Sequence, residues 1–302
     1  MKWVIPPGSA PRRERQRQRD MKPLTTELPS LPHAAAARLA LAPTGSSENI
    51  DLTQRLLAAS PALREISDTL FEASAHDMGP SGASCALSLA RLDTALGTLP
   101  LEPFLCDGVL RAVRPRQLAW LAGRLCAEHA LHAIGVPQPR GVARGPTGAP
   151  HWPGAALGSI THTAATAHAA VRPGRSCFGV GIDSELVDTA ASSAIAEFCC
   201  TPFERARWLA TSGDATTLVL IFSAKESFYK AVYRSVGRFI GFDEVEVIAM
   251  DPWRGTLVLL PVPGGELASR FGPLPVRFSI EPGRPARVHT TLVIDHAPRL
   301  DD

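Results

Sequence analysis

Apolar positions along this chain change period several times, and each change predicts an element. Around Asp51 to Ala73, Leu52, Leu56, Leu57, Leu63, Ile66 and Leu70 recur at roughly helical spacing, interrupted by Pro61. That predicts one or two short helices, peripheral to the main body. Ala83 to Leu92 reads as a first strand. From Arg116 to Ile134, Leu118, Leu121, Ala122, Leu125 and Leu131 form one apolar face of a helix that Gly135 and Pro137 end. A Pro/Gly-rich loop, Val136 to Gly158, follows. Gly158-Ser-Ile-Thr-His-Thr163 then leads into an alternating strand, Ala164 to Val171.

Phe178, Val180 and Ile182, set among small glycines, predict a buried strand whose apolar run stops at Asp183 and Glu185. Thr189 to Leu209 reads as a helix broken at Pro202, and Thr211 to Asp214 as a turn. Leu218 to Phe222 is apolar and runs into Ser223-Ala-Lys-Glu-Ser-Phe-Tyr-Lys-Ala231. There Ser223 and Glu226 have the spacing of a helix capping box, and Glu226 and Lys230 that of a routine helix salt bridge. Beyond a turn at Gly237 to Phe242, the segments 245–248, 256–260, 276–280 and 290–294 alternate as strands of an antiparallel sheet. A helix followed by strands in each half points to an α+β fold with two comparable lobes.

Composition adds bounds. The 302 residues suffice for one large or two small domains, and 31 Lys plus Arg against 29 Asp plus Glu make no case for wholesale nucleic-acid binding. No apolar run reaches the length of a membrane span. The basic N-terminus lacks a hydrophobic signal core, so the expected compartment is the cytoplasm. Residues 1–48, rich in Pro, Arg, Gln and Ser, read as a disordered extension, and the start codon is open, Met21 being one alternative. The run Arg12 to Arg19 reads as a solvated tail, since no aromatic residues interleave to stack on bases. The expected division is 1–48 extension, 49–83 peripheral helical segment, 84–175 first lobe and 176–302 second lobe. The six cysteines show no C-x-x-C spacing and fit reduced, buried thiols.

The candidate chemistry begins at the acidic strand end. In extended chain Asp183 and Glu185 project from one side, where they repel each other unless a cation sits between them. Mg²⁺, held by carboxylates and substrate phosphates, is the natural candidate; the bland alternative is a solvated strand end. Arg116 and Arg124 are a little over two helical turns apart and lie on neighbouring faces, either meeting one polyanion or simply snorkelling. His162 has two readings, a hydrogen-bonding core residue or a group facing a phosphate or proton. No G-x-S-x-G elbow supports a Ser-His-Asp hydrolase.

Three blocks stand in fixed order: Gly158-Ser-Ile-Thr-His162, Gly181-Ile-Asp-Ser-Glu185 and Phe222-Ser-Ala-Lys-Glu-Ser-Phe-Tyr-Lys-Ala231. Together they resemble the 4′-phosphopantetheinyl transferases of the surfactin/enterobactin type. The Arg116-x7-Arg124 helix and Gly148-Ala-Pro-His-Trp-Pro153 are similar to the enterobactin-synthetase component D branch. The match spans roughly residues 84 to 295. The resemblance implies two α/β lobes forming an intramolecular pseudo-dimer, with coenzyme A and Mg²⁺ in the cleft and Mn²⁺ suited to the same oxygens. It implies that phosphopantetheine passes from coenzyme A to a serine of an acyl- or peptidyl-carrier protein, serving siderophore, nonribosomal peptide or polyketide synthesis. By the same motifs Asp183, Glu185 and Glu226 would be metal ligands, with Glu226 also the candidate base. Lys225 and Lys230 would bind phosphate, Lys230 at the transferring centre. His162 would meet the coenzyme's 3′-phosphate, with Arg116, Arg124 and Arg144 completing that pocket. Phe228, Tyr229 and Val232 are candidates for carrier docking or for core, and a monomer is expected. The rival functions are a catalytically silent coenzyme A-binding module and another Mg²⁺-dependent, diphosphate-using enzyme.

Overall fold

Two antiparallel sheets, each covered by one long helix, make up the body of the protein. The computed structural model describes residues 52–136, 142–153, 155–187, 192–210 and 214–296, so the extension 1–48 with its basic run lies outside the described residues. The chain begins with helices α1 (Leu52–Ala59) and α2 (Pro61–Glu65). Pro61 starts the second helix rather than merely ending the first, because Ser60 caps it by accepting from Leu63 N. Strand β1 (Ala83–Ser88) is shorter than expected: Ser88 caps a helix, α3 (Leu89–Leu96), by accepting from Arg91 N. A short helix α4 (Asp107–Leu110) precedes α5 (Arg114–Ala133), and a two-strand ribbon follows, β2 (Ala143–Arg144) with β3 (Pro150–His151). The histidine block is itself a strand, β4 (Ala156–His162), turning at Thr163 into β5 (Thr166–Pro173). The first sheet has the order β1-β5-β4.

The helices at 52–65 are not peripheral. Leu56, Leu63 and Leu70 are fully buried in the same core as Leu121, Leu125 and Leu131 of α5. Glu128, completely buried on α5, accepts from the backbone of Leu52 and Thr53 and from the Thr53 hydroxyl. Its carboxylate satisfies the open N-terminus of α1 and meets its dipole. The segment 52–70 therefore packs into the same core as α5.

Strand β6 (Gly179–Leu186) opens the second lobe, followed by α6 (Ser192–Cys199), the single turn α7 (Pro202–Glu204) and α8 (Ala215–Val236). Then come β7 (Val245–Asp251), β8 (Thr256–Pro261), α9 (Glu266–Arg270), β9 (Leu274–Glu281) and β10 (Arg287–Ile294), in sheet order β6-β10-β9-β8-β7. The capping box expected at Ser223 is absent. Asp214 caps one continuous helix through Thr216 N, and Ser223 sits mid-helix with its hydroxyl on Thr290 of β10. All six cysteines are free thiols, five of them buried. Among the described residues no helix is long and apolar enough to cross a membrane.

Helix α8 lies unusually close to β6. A Cβ at Gly181 would overlap the carbonyl oxygen of Ser227, and one at Gly179 that of Ala231. The two glycines are thus what admits the helix backbone. A second anchor fixes its far side. Lys225 and Glu204 form an ion pair of 2.6 Å with both side chains fully buried. The Lys225 ammonium also donates to the carbonyls of Cys199 and Phe242, and Glu204 also accepts from Thr201 N and Val247 N. Each polar atom of the pair is satisfied, which is the condition for burying one.

At the junction of the lobes a polar cluster is buried: His76 from the segment before β1, His168 on β5 and His289 on β10, with ring centroids 5.3 to 5.6 Å apart. Burial, reinforced by His168 and His289, holds His76 well below the ordinary histidine value of 6.5, and burial likewise lowers His289.

Two outcomes are expected. Lys225→Met strands the Glu204 carboxylate and should cost about 3–5 kcal/mol of stability in a denaturant melt. A melt unchanged from wild type would refute the anchoring role. Because His76 and His289 stay neutral when folded while unfolded chains take up protons below about 6.5, stability should be full above that pH. It should fall between pH 6.5 and 5, by up to about 1.4 kcal/mol per pH unit for each such histidine. A flat melting temperature across that window would contradict the assignment.

Candidate active site

Strand β6 meets β4 across the lobe junction, where Ser159 Oγ accepts from Ile182 N at 3.1 Å. Two residues on along β4 and one along β6, Thr161 Oγ1 donates to Asp183 Oδ1 at 3.0 Å. Lys230 of α8 donates to the same oxygen at 2.7 Å and to the Ile182 carbonyl at 3.1 Å. Asp183 is buried by these partners, as is Glu226, one helical turn before Lys230. Burial opposes the Lys230 charge, but Asp183, Glu226 and Glu185 together outweigh it and raise its pKa above the ordinary lysine value. One carboxylate thus pairs directly with the Lys230 ammonium, and two more act on it electrostatically.

These acids are hard oxygen donors of the kind Mg²⁺ selects. Among the described residues, however, no three His, Cys, Asp or Glu side chains stand gathered as a ready metal-ligand set. Asp183 is paired instead with the Lys230 ammonium. In donor chemistry alone, the three acids fit a divalent cation.

The second part of the site is cationic. Arg116 Nη1 lies 2.6 Å from His162 Nε2. Arginine has no acceptor, so the imidazole receives the hydrogen and is neutral in this contact. Arg124, one face round on α5, is buried and packs over the Trp120 ring at 5.2 Å. Burial is the chief cause, with Arg144 and Arg116 adding to it, of an Arg124 pKa pushed down to about 10. Its Nε and the neighbouring Trp120 Nε1 are both buried without an acceptor. Buried donors left this way are costly and are seldom without purpose. The Arg144 guanidinium is wedged between Gly108 and Gly148, where an added Cβ would stand 3.1 and 3.0 Å from it.

Of the residues singled out in the sequence, Asp183 is in direct contact with Lys230, and Glu226 and Glu185 are near enough to raise the Lys230 pKa; Arg116 contacts His162, and Arg116 and Arg144 both act on the charge of Arg124. Thr161 and His162, successive residues of β4, touch one group each. Lys225 belongs to neither: its three ammonium hydrogens go to Glu204, Cys199 and Phe242. The phosphate contact expected of it is corrected to a structural ion pair, because a charge buried there must be matched by a carboxylate. Phe228 and Val232 are core, leaving Tyr229 half-buried beside Phe239, 6.1 Å between ring centroids. Thr161 carries no mark of its role in the sequence, although it lies within Gly158-Ser-Ile-Thr-His162. No spacing rule marks a threonine as an aspartate's partner.

Comparison with known proteins places this arrangement. Residues 179–273 match the 4′-phosphopantetheinyl transferase superfamily model, and residues 107–172 match the 4′-phosphopantetheinyl transferase N-terminal domain. The 4′-phosphopantetheinyl transferase Svp of Streptomyces mobaraensis is 38% identical over 172 residues, covering 54% of this chain and 68% of that protein. The 4′-phosphopantetheinyl transferase Npt of Nocardia iowensis is 33% identical, covering 56% and 73%. Enterobactin synthase component D of Salmonella typhi is 35% identical, covering 54% and 68%. On these matches the chain belongs to the 4′-phosphopantetheinyl transferase superfamily and, within it, to the enterobactin type.

Proposed function

We propose that this protein moves 4′-phosphopantetheine from coenzyme A to a serine hydroxyl of an acyl- or peptidyl-carrier protein, converting apo carrier to holo carrier. Adenosine 3′,5′-bisphosphate is the other product, and the carriers are those of siderophore, nonribosomal peptide or polyketide synthesis. The observation that carries the reading is the adjacency on β4: Thr161 touches Asp183 while His162 touches Arg116. A ligand with a diphosphate at one end and a further phosphate at the other would span the two groups. Coenzyme A is such a ligand. The 3′-phosphate would be received by Arg116, Arg124, Arg144 and His162, supplying the acceptor that Arg124 Nε lacks.

Asp183, Glu185 and Glu226 would hold Mg²⁺, and Mn²⁺ would suit the same oxygens. What the metal supplies when bound is neutralisation of charge on the diphosphate. The rest of the chemistry falls to the chain. The carrier serine oxygen bonds to the pantetheine-side phosphorus as the bridging bond to adenosine 3′,5′-bisphosphate breaks. Glu226 takes the serine proton, and Lys230 steadies the charge growing on the phosphoryl oxygens. Half-buried Tyr229 and exposed Phe239, whose ring centroids lie 6.1 Å apart, would meet the carrier. The enzyme is read as a cytoplasmic monomer, since one chain supplies both groups of side chains.

The test is the intact mass of an apo-carrier incubated with the protein, coenzyme A and Mg²⁺. The expected result is a gain of one phosphopantetheine, lost with EDTA and with Asp183→Ala. Coenzyme A binding without transfer to carriers of several types would favour a silent binding module instead. Arg124→Ala should weaken coenzyme A by about ten- to a hundredfold, the worth of a charged hydrogen bond, and 3′-dephospho-coenzyme A far less. Equal losses for both ligands would remove Arg124 from the phosphate pocket.

A further inference from the structure

Ser184 stands between Asp183 and Glu185, so by strand alternation its side chain leaves the opposite face of β6. It is completely buried there among the three histidines. Its Oγ lies 3.0 Å from His76 Nε2 and 2.9 Å from His289 Nδ1. His76 Nδ1 in turn lies 2.9 Å from Thr291 Oγ1, and His289 Nε2 lies 3.4 Å from Glu281 Oε2. His76 and His289 lie outside both stretches that match the family models, 107–172 and 179–273.

The direction of every hydrogen in this chain follows from its end. An ionised Glu281 can only accept, so His289 carries its proton on Nε2 and its Nδ1 accepts from the Ser184 hydroxyl. Ser184 Oγ then accepts from His76 Nε2–H, and His76 Nδ1 accepts from the Thr291 hydroxyl. Both rings are neutral, in keeping with the burial that depresses them. The segment bearing His76 is itself tied down. Ser84 Oγ donates to the His76 carbonyl, His76 N donates to Ser74 Oγ, and Arg277 of β9 pairs with Asp77.

We propose that His76 is a positioning residue for the transfer reaction: by holding Ser184 from behind, it fixes the strand from which Asp183 and Glu185 present their carboxylates. Adjacent strand residues share a backbone but not a face, so a restraint on one side chain sets the height and tilt of its two neighbours. Without this hold the tip would keep β10 and the Thr161 and Lys230 bonds to Asp183 but lose its restraint on the opposite face, and carboxylates bound to a small cation tolerate little misplacement. The inference rests on the reading of Asp183 and Glu185 given under Proposed function.

The test compares His76→Leu, which removes the hydrogen bonds, with His76→Gln, which keeps an N–H donor, and with Ser184→Ala. Turnover with saturating coenzyme A should fall about tenfold or more in His76→Leu, with KM for coenzyme A within about twofold of wild type. Hydrogen exchange at the amides of 183–185 should speed up, and His76→Gln should recover most of the turnover. The double variant with Ser184→Ala should be no worse than the poorer single variant, because both cut one link. A folded His76→Leu with wild-type turnover would overturn the proposal, as would fully additive losses in the double variant. If His76→Leu does not fold, Ser184→Ala decides alone, its turnover and exchange being read the same way. Failure of the underlying reading looks different, since Asp183→Ala would then transfer phosphopantetheine normally.

Discussion

One carboxylate oxygen joins three elements of this molecule. Asp183 Oδ1 takes a hydrogen bond from Thr161 of the first lobe and another from Lys230 of the long helix in the second. Such a junction requires the helix backbone to approach the strand more closely than side chains ordinarily permit. Gly179 and Gly181 meet that requirement, as their α8-facing positions have no room for a Cβ. The apolar core sets the height of the helix over the sheet, with Phe228 and Val232 fully buried beneath it. The buried Lys225–Glu204 pair pins the helix on its other flank, so Lys230 is delivered to Asp183 by packing on both sides.

Much of this was legible before any coordinates. The 3.6-residue period of α5 and the alternation of β7 to β10 gave the elements, because each buries one face against one layer. The acidic end of β6 was legible because abrupt loss of hydrophobicity at a buried strand is unusual. What the chain did not reveal depends on contacts distant in sequence. Lys225 and Lys230 look alike in the motif, yet five residues along a helix turn them to different sides: one meets Glu204, the other Asp183. Ser223 had the local signature of a helix start, but Asp214 took that role, and the residues between are apolar enough to continue the helix upstream. Leu56, Leu63 and Leu70 looked peripheral because a short amphipathic segment does not say what it packs on.

The cationic group illustrates the same limit. Spacing placed Arg116 and Arg124 on neighbouring faces of one helix, and that was correct as far as it went. Only the fold brings Arg144 in from the β2–β3 ribbon and His162 in from the end of β4. Burial beside Trp120 then distinguishes Arg124 from an ordinary surface arginine.

The way the two sheets meet has a consequence for handling and engineering the protein. β4 is the last strand of one sheet and β6 the last strand of the other, and these two edges are turned toward each other. Each shields the other from foreign strands, the hazard that open edges carry in β proteins. The lobes are therefore poor candidates for separate expression. Cutting the chain between Pro173 and Gly179 would expose two unprotected edges at once, and self-association would be expected to outrun productive pairing.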